Sequence, residues 1–111
     1  TFYDEAAPAN DEAAAFVDGF KAYLTSIGES DIIPAVSALG YDAYITAVQA
    51  IKDADSVDPA AIKDALKNVH VEGVTGDITF DENGDANKDM AYIKTIKDGK
   101  IVFLTTTSID E

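Results

Sequence analysis

Residues 41–54, YDAYITAVQAIKDA, carry apolar side chains at Tyr41, Tyr44, Ile45, Val48, Ala50 and Ile51. Most of them lie in one broad stripe at a period near 3.6, which a helix satisfies and a strand does not. Asp42, Gln49, Lys52 and Asp53 are left for the water-facing side. One amphipathic segment precedes this helix, another follows it, and a strand-patterned tail closes the chain. The central helix is therefore the expected partner for most of the apolar surface. Nothing in the stretch is chemically reactive, which favours binding or scaffolding over catalysis.

Upstream, Thr1 to Tyr3 has the composition of a strand end, and Asp4 to Ala9 is an irregular connection containing Pro8. Asn10 is a good N-cap, with Asp11 and Glu12 placed against the positive end of the helix dipole. Phe16, Val17, Phe20, Tyr23, Leu24 and Ile27 then recur at helical spacing up to Gly28, a natural residue just past a helix end. Gly19 interrupts this pattern and is expected where another element packs closely. Glu29 to Ile33 reads as a linker or a short strand. The central helix starts near Pro34 or Ser37 and runs to about Asp53, with Gly40 as a weak point. Asp58-Pro59 is an N-cap followed by proline at the first helical position, opening a short helix that ends near Asn68 or Val69.

Beyond Val69 the period changes. Ile78-Thr79-Phe80 reads as a strand, and Asp81-Glu82-Asn83-Gly84 as a turn. Met90 to Ile96 and Lys100 to Thr106 are further strands. Only Lys97, Asp98 and Gly99 separate them, which predicts an antiparallel hairpin. The order is thus a clipped strand, helices, then strands, with more sheet faces implied than the chain supplies. Strands belonging elsewhere are expected.

A chain of 111 residues supports one modest domain, and its 47% apolar content argues against disorder despite a formal net charge of -13. All eight basic residues are lysine, so the planar guanidinium fork that grips phosphate or guanine is absent. Such an acidic chain should repel nucleic acid and anionic lipid. Without cysteine there is no disulfide, thiolate catalysis or sulfur-ligated metal, in either a reducing or an oxidising compartment. No run approaches the length of a membrane span and no signal segment is present. The abrupt Thr1-Phe2-Tyr3-Asp4 start fits a mature secreted protein, a cytosolic protein or a piece of a larger one.

The candidate chemistry is sparse. His70 has no spaced ligand set and no nucleophile to serve, so it reads as a helix-terminal histidine near the negative end of the dipole. Asp81, Asn83, Asp85, Asn87 and Asp89 alternate as oxygen ligands do. Ala86 and Tyr92, however, stand where a calcium loop needs glycine and glutamate, so a solvated turn is the expectation. Asp4, Glu5, Asp11 and Glu12 are explained by capping and solubility. The glycines form no phosphate-cradling loop. Catalytic residues, metals and cofactors are all expected to be absent. Tyr23, Tyr41, Tyr44 and Tyr92 read as core or core-edge residues. Tyr3 and the segment from Ala35 to Tyr41 lie at junctions of the kind that frame ligand clefts in α/β folds.

The run GYDAYITAVQAI from Gly40, then DSVDPAAIKDALKN, then GVTGDITFDENGD and a terminal KDGK, resembles the carboxy-terminal third of the substrate-binding proteins of branched-chain amino acid ABC transporters. FYDEAAPANDEAAAFVDGFKAYL is similar to the stretch of those proteins that leaves the second lobe and re-enters the first. The resemblance implies an α/β fragment of the type I periplasmic-binding-protein fold, with helices on a partial sheet and a C-terminal antiparallel hairpin. Residues 1–90 would be the C-terminal part of the first ligand-binding lobe with its hinge strand ends, and residues 91–111 a hairpin packing on the second lobe. It further implies a non-enzymatic role. An amino acid, branched-chain or similar, is captured outside the membrane, in the periplasm or on a cell-surface lipoprotein, and delivered to an ABC permease. Val36 holds a place where the family often has an aromatic pocket residue, and its smaller side chain leaves room for a differently shaped solute. Tyr3, at a hinge by the same resemblance, is either a pocket neighbour or a structural residue. The bare fragment is expected to have little affinity and to be prone to dimerisation or strand exchange. Two other readings remain: a ligand-sensing receptor domain of the same fold, and a self-contained acidic interaction domain.

Overall fold

The computed structural model describes residues 1–109. Its elements run α1 (Asp11–Ser26), α2 (Ala35–Ala54), α3 (Pro59–Leu66), β1 (Val71–Gly73), β2 (Gly76–Ile78), β3 (Met90–Lys97) and β4 (Lys100–Ser108). The helices start where local chemistry dictates. Asn10 Oδ1 accepts the Ala13 amide at 2.7 Å, and the Asp58 carboxylate accepts that of Ala61 at 3.1 Å, with Pro59 just inside. At the end of α1, Gly28 takes φ +77, the Glu29 amide donates to the Leu24 carbonyl and the Gly28 amide to that of Thr25. This paired pattern satisfies carbonyls that the helix leaves open. Helix α2 runs unbroken through Gly40, and residues 29–33 form no strand.

Two separate two-stranded antiparallel ribbons replace a single sheet. In the first, Gly73 faces Gly76 and Val74-Thr75 form the loop. The strand expected at Ile78–Phe80 therefore lies two residues earlier, and Phe80 contributes only an isolated bridge to Ala86. The tight turn is set by Gly76, whose φ of +97 suits glycine. In the second ribbon Lys97 faces Lys100, and Asp98 (φ +52) and Gly99 (φ +73) make the two-residue turn, as the spacing predicts. Opposite the Ile93–Lys94 step the register slips, leaving Leu104 as an extra residue in β4. Thr1 to Tyr3 forms no strand, but Thr1 and Tyr92 exchange backbone hydrogen bonds at 2.7 and 3.3 Å.

The core is small. Tyr3, Ala13, Ile33, Ala38 and Val74 are buried together, flanked by Phe16, Val17, Phe20 and Ala35. Three sequence expectations fail here. Gly19 faces open space, not a close neighbour. Tyr23 and Tyr44 are 56% and 69% exposed, so they are outside the core. The face of α2 that turns inward carries Ala38, Asp42, Thr46 and Ala50, placing Asp42 inside and Tyr44 and Ile51 outside. Small side chains allow close approach to the β1–β2 loop; of the bulky apolar stripe, Tyr41 packs on Phe16 while Tyr44 and Ile51 are left exposed.

Candidate functional site

The two residues singled out by resemblance sit in different settings. Val36, in the first turn of α2, is 72% exposed. No side chain caps the start of this helix, because Pro34 occupies the N-cap. Tyr3 is 2% exposed and packs in the core between Ala13, Ile33, Ala38 and Val74. Its hydroxyl is buried without a hydrogen-bond partner. Burial, with Glu5, Asp4 and Tyr92 nearby, pushes its pKa up to about 12. Tyr92 is raised for the same main reason, with Asp4 contributing.

The acidic residues around Tyr3 do more than cap and solubilise. Glu5 accepts the Ile33 amide at 3.0 Å and pairs with Lys21 at 3.1 Å, tying α1 to the connection that leads into α2. Asp4 is nearly buried; one oxygen accepts the Ala6 amide at 2.9 Å and the other pairs with Lys94 of β3 at 2.9 Å.

Sequence reasoning missed a buried carboxylate with three hydrogen bonds. Asp42 Oδ1 accepts the Val74 amide at 2.8 Å, and Oδ2 accepts the Thr75 amide at 2.9 Å and the Thr75 hydroxyl at 2.5 Å. Lys88 Nζ donates to the same hydroxyl at 2.8 Å. Burial lowers the Lys88 pKa, opposed by the nearby carboxylates of Asp42, Asp89 and Asp77. Asn10 Nδ2 adds a bond to the Gly73 carbonyl at 3.1 Å. The β1–β2 loop is thus held from both α1 and α2. The signal in the sequence was the i, i+4 series of small or polar residues at 38, 42, 46 and 50, which apolar periodicity passes over.

Beside this network a groove of about 340 Å³ runs between α2, α3 and the segment after β2, bordered by Leu39, Ala47, Ile62, Leu66 and Phe80. Its lining is largely apolar, with Asp42, Thr46, Thr75 and Lys88 as the polar members. His70 faces Asp77 at 3.5 Å on the surface, four residues past α3, and does not cap the helix end. Asp81 Oδ1 accepts the amides of Asn83 and Asp85 at 2.8 and 2.9 Å, and these bonds hold its carboxyl below the usual range. The alternating acids form a turn, and among the described residues no group of three or more histidines and acids could hold a metal. No helix among them is long and apolar enough to cross a membrane.

The comparisons agree with this architecture. The family model described as periplasmic binding protein matches residues 1–100. A crystal structure of LivK, a leucine-binding protein of Thermotoga maritima, superposes with a TM-score of 0.75 at 34% identity, over 96% of this chain. The chain spans 29% of the length of that protein.

Proposed function

Because this chain belongs to the periplasmic binding protein family, we propose that it is part of a two-lobed, extracytoplasmic solute-binding protein that captures an amino acid and presents it to an ABC permease. The observation carrying this reading is the match along nearly the whole chain to a leucine-binding protein. Two structural features support it. Large apolar side chains on α2, among them Val36, Tyr44 and Ile51, face outward, as a segment that packs against more of a lobe requires. The β3–β4 ribbon has few ties to the helices, as a part packed on another lobe would have.

On this reading, residues 1–90 complete the first lobe and residues 91–111 contact the second. Val36 lines the solute pocket from the open end of α2, and Tyr3 lies behind it at a hinge. Solute binding is non-covalent, and closure follows because the closed form makes contacts the open form lacks. Calorimetry tests the proposal on the full-length protein that carries this segment. Leucine, isoleucine or valine should bind it, and the 111-residue chain alone should bind none. Val36→Trp should weaken binding at least about tenfold by filling pocket volume, a cost of about 1.4 kcal/mol or more. Equal affinity in the short chain, or no amino acid binding by the full-length protein, would refute the assignment.

A further inference from the structure

We propose that the Asp4–Lys94 ion pair is a clamp that sets the angle between the β3–β4 ribbon and the helical body. Thr1–Asp4 and Met90–Lys94 run beside each other where the chain passes between the two parts. They are joined first by the Thr1–Tyr92 backbone exchange and then, two residues further along β3, by Asp4 and Lys94. Besides the chain that enters β3 from Lys88, which Thr75 holds, the backbone exchange is a tie at Tyr92, close to that entry, and a ribbon held only there can swing. A further tie displaced along the strand at Lys94 restricts that swing.

Three features suit the pair to this task. The Asp4 side chain is 10% exposed and that of Lys94 33%, so the bond is sheltered from water and salt on the carboxylate's side. Its other oxygen is occupied by the Ala6 amide, so the carboxylate is held in place before the ammonium arrives. The extra residue Leu104 lies directly opposite the Ile93–Lys94 step. Such a bulge in β4 bends the ribbon and strengthens its twist at the step where Lys94 stands. Lys97, three residues on, makes no such tie among the described residues.

The role of this angle in solute capture rests on the two-lobe reading above; the clamp itself does not, and it is measured on the 111-residue chain. That chain has no cysteine, so spin labels at Lys52→Cys and Lys100→Cys, both exposed positions, report the distance between body and ribbon by pulsed dipolar spectroscopy. The native pair should give one narrow distance distribution. Lys94→Met and Asp4→Asn should each lose that single peak and give a broad distribution. The double variant should be no broader than either alone, because both changes remove the same bond. Lys97→Met should leave the peak intact. Far-ultraviolet circular dichroism identifies any variant whose helices are lost, and Lys94→Arg, which keeps the charge, should restore the narrow peak in a folded chain. A Lys94→Met distribution that superimposes on the native one overturns the clamp, as does a native distribution already broad. Failure of the calorimetric test with an intact clamp would discard the transport reading alone.

Discussion

At the scale of single residues, the position of the β1–β2 loop depends on Asp42 and on the side chain Gly73 lacks. A Cβ at residue 73 would sit 2.7 Å from the Asp42 carboxylate, which its bonds to Val74 and Thr75 prevent from moving aside. Gly73→Ala should cost about 1–3 kcal/mol, and Asp42→Ala about 3 kcal/mol or more by stranding buried donors. In urea unfolding the double variant should lose less than the two costs combined, because removing the carboxylate makes room for the methyl group. Additive losses would contradict the close packing. Tyr3 supplies a test by pH. Its folded pKa is about 12 against an ordinary value of 10.0, so the unfolded chain loses this proton first. Its ionisation therefore leaves stability untouched below pH 10 and lowers it as pH rises from 10 towards about 12. Tyr3→Phe should make the fall in stability across that window shallower without abolishing it, since Tyr92 is shifted the same way. Near neutrality the variant should be as stable as the native chain or slightly more, because the removed hydroxyl has no partner.

Among the elements, α1 is anchored at its N-cap and the ribbon at its turn. Asn10 caps α1 through its oxygen and holds the Gly73 carbonyl through its nitrogen. Asn10→Asp keeps the cap and loses the second bond, whereas Asn10→Ala loses both. Thermal or urea melts should therefore rank the native chain above Asn10→Asp, and Asn10→Ala lowest, at about 1–2 kcal/mol below native. Equal melts for Asp and Ala would mean that the cap contributes nothing. In the ribbon, Gly99 at φ +73 tolerates no Cβ without strain. Gly99→Ala should cost about 1–2 kcal/mol and speed hydrogen exchange at Lys97 and Lys100, leaving α2 protected.

The whole molecule is flat and open. Its extents are 50 × 41 × 21 Å and its radius of gyration is 15.9 Å, against about 13 Å for a compact chain of this length. It exposes 7405 Å², where a compact monomer of 11.8 kDa exposes about 5,900 Å². The excess coincides with apolar side chains such as Val36, Tyr44, Ile96 and Ile101. Sedimentation should therefore show self-association that grows with concentration. It should also grow with ionic strength, as salt screens the repulsion between chains of formal charge -13. Tyr44→Glu should reduce it. A monomer at every concentration would show that these faces do not attract each other.

The sequence by itself determined the helices, their caps and the Asp98-Gly99 hairpin, because those depend on contacts within a few residues. Asn10, Asp58-Pro59 and Gly28 act on their own turns wherever the rest of the chain lies. Resemblance extended this to the family, through motifs whose order is preserved. Tertiary structure alone decided which way α2 faces. Apolar spacing placed Tyr44 and Ile51 inward and Asp42 outward, but the nearest neighbour is a tight backbone loop that admits only small side chains and offers amides to a carboxylate. The same holds for Asp4, which looks like a surface acid until Lys94, 90 residues later, is brought beside it. Periodicity reports how apolar a face is, and only the packed chain shows what that face meets.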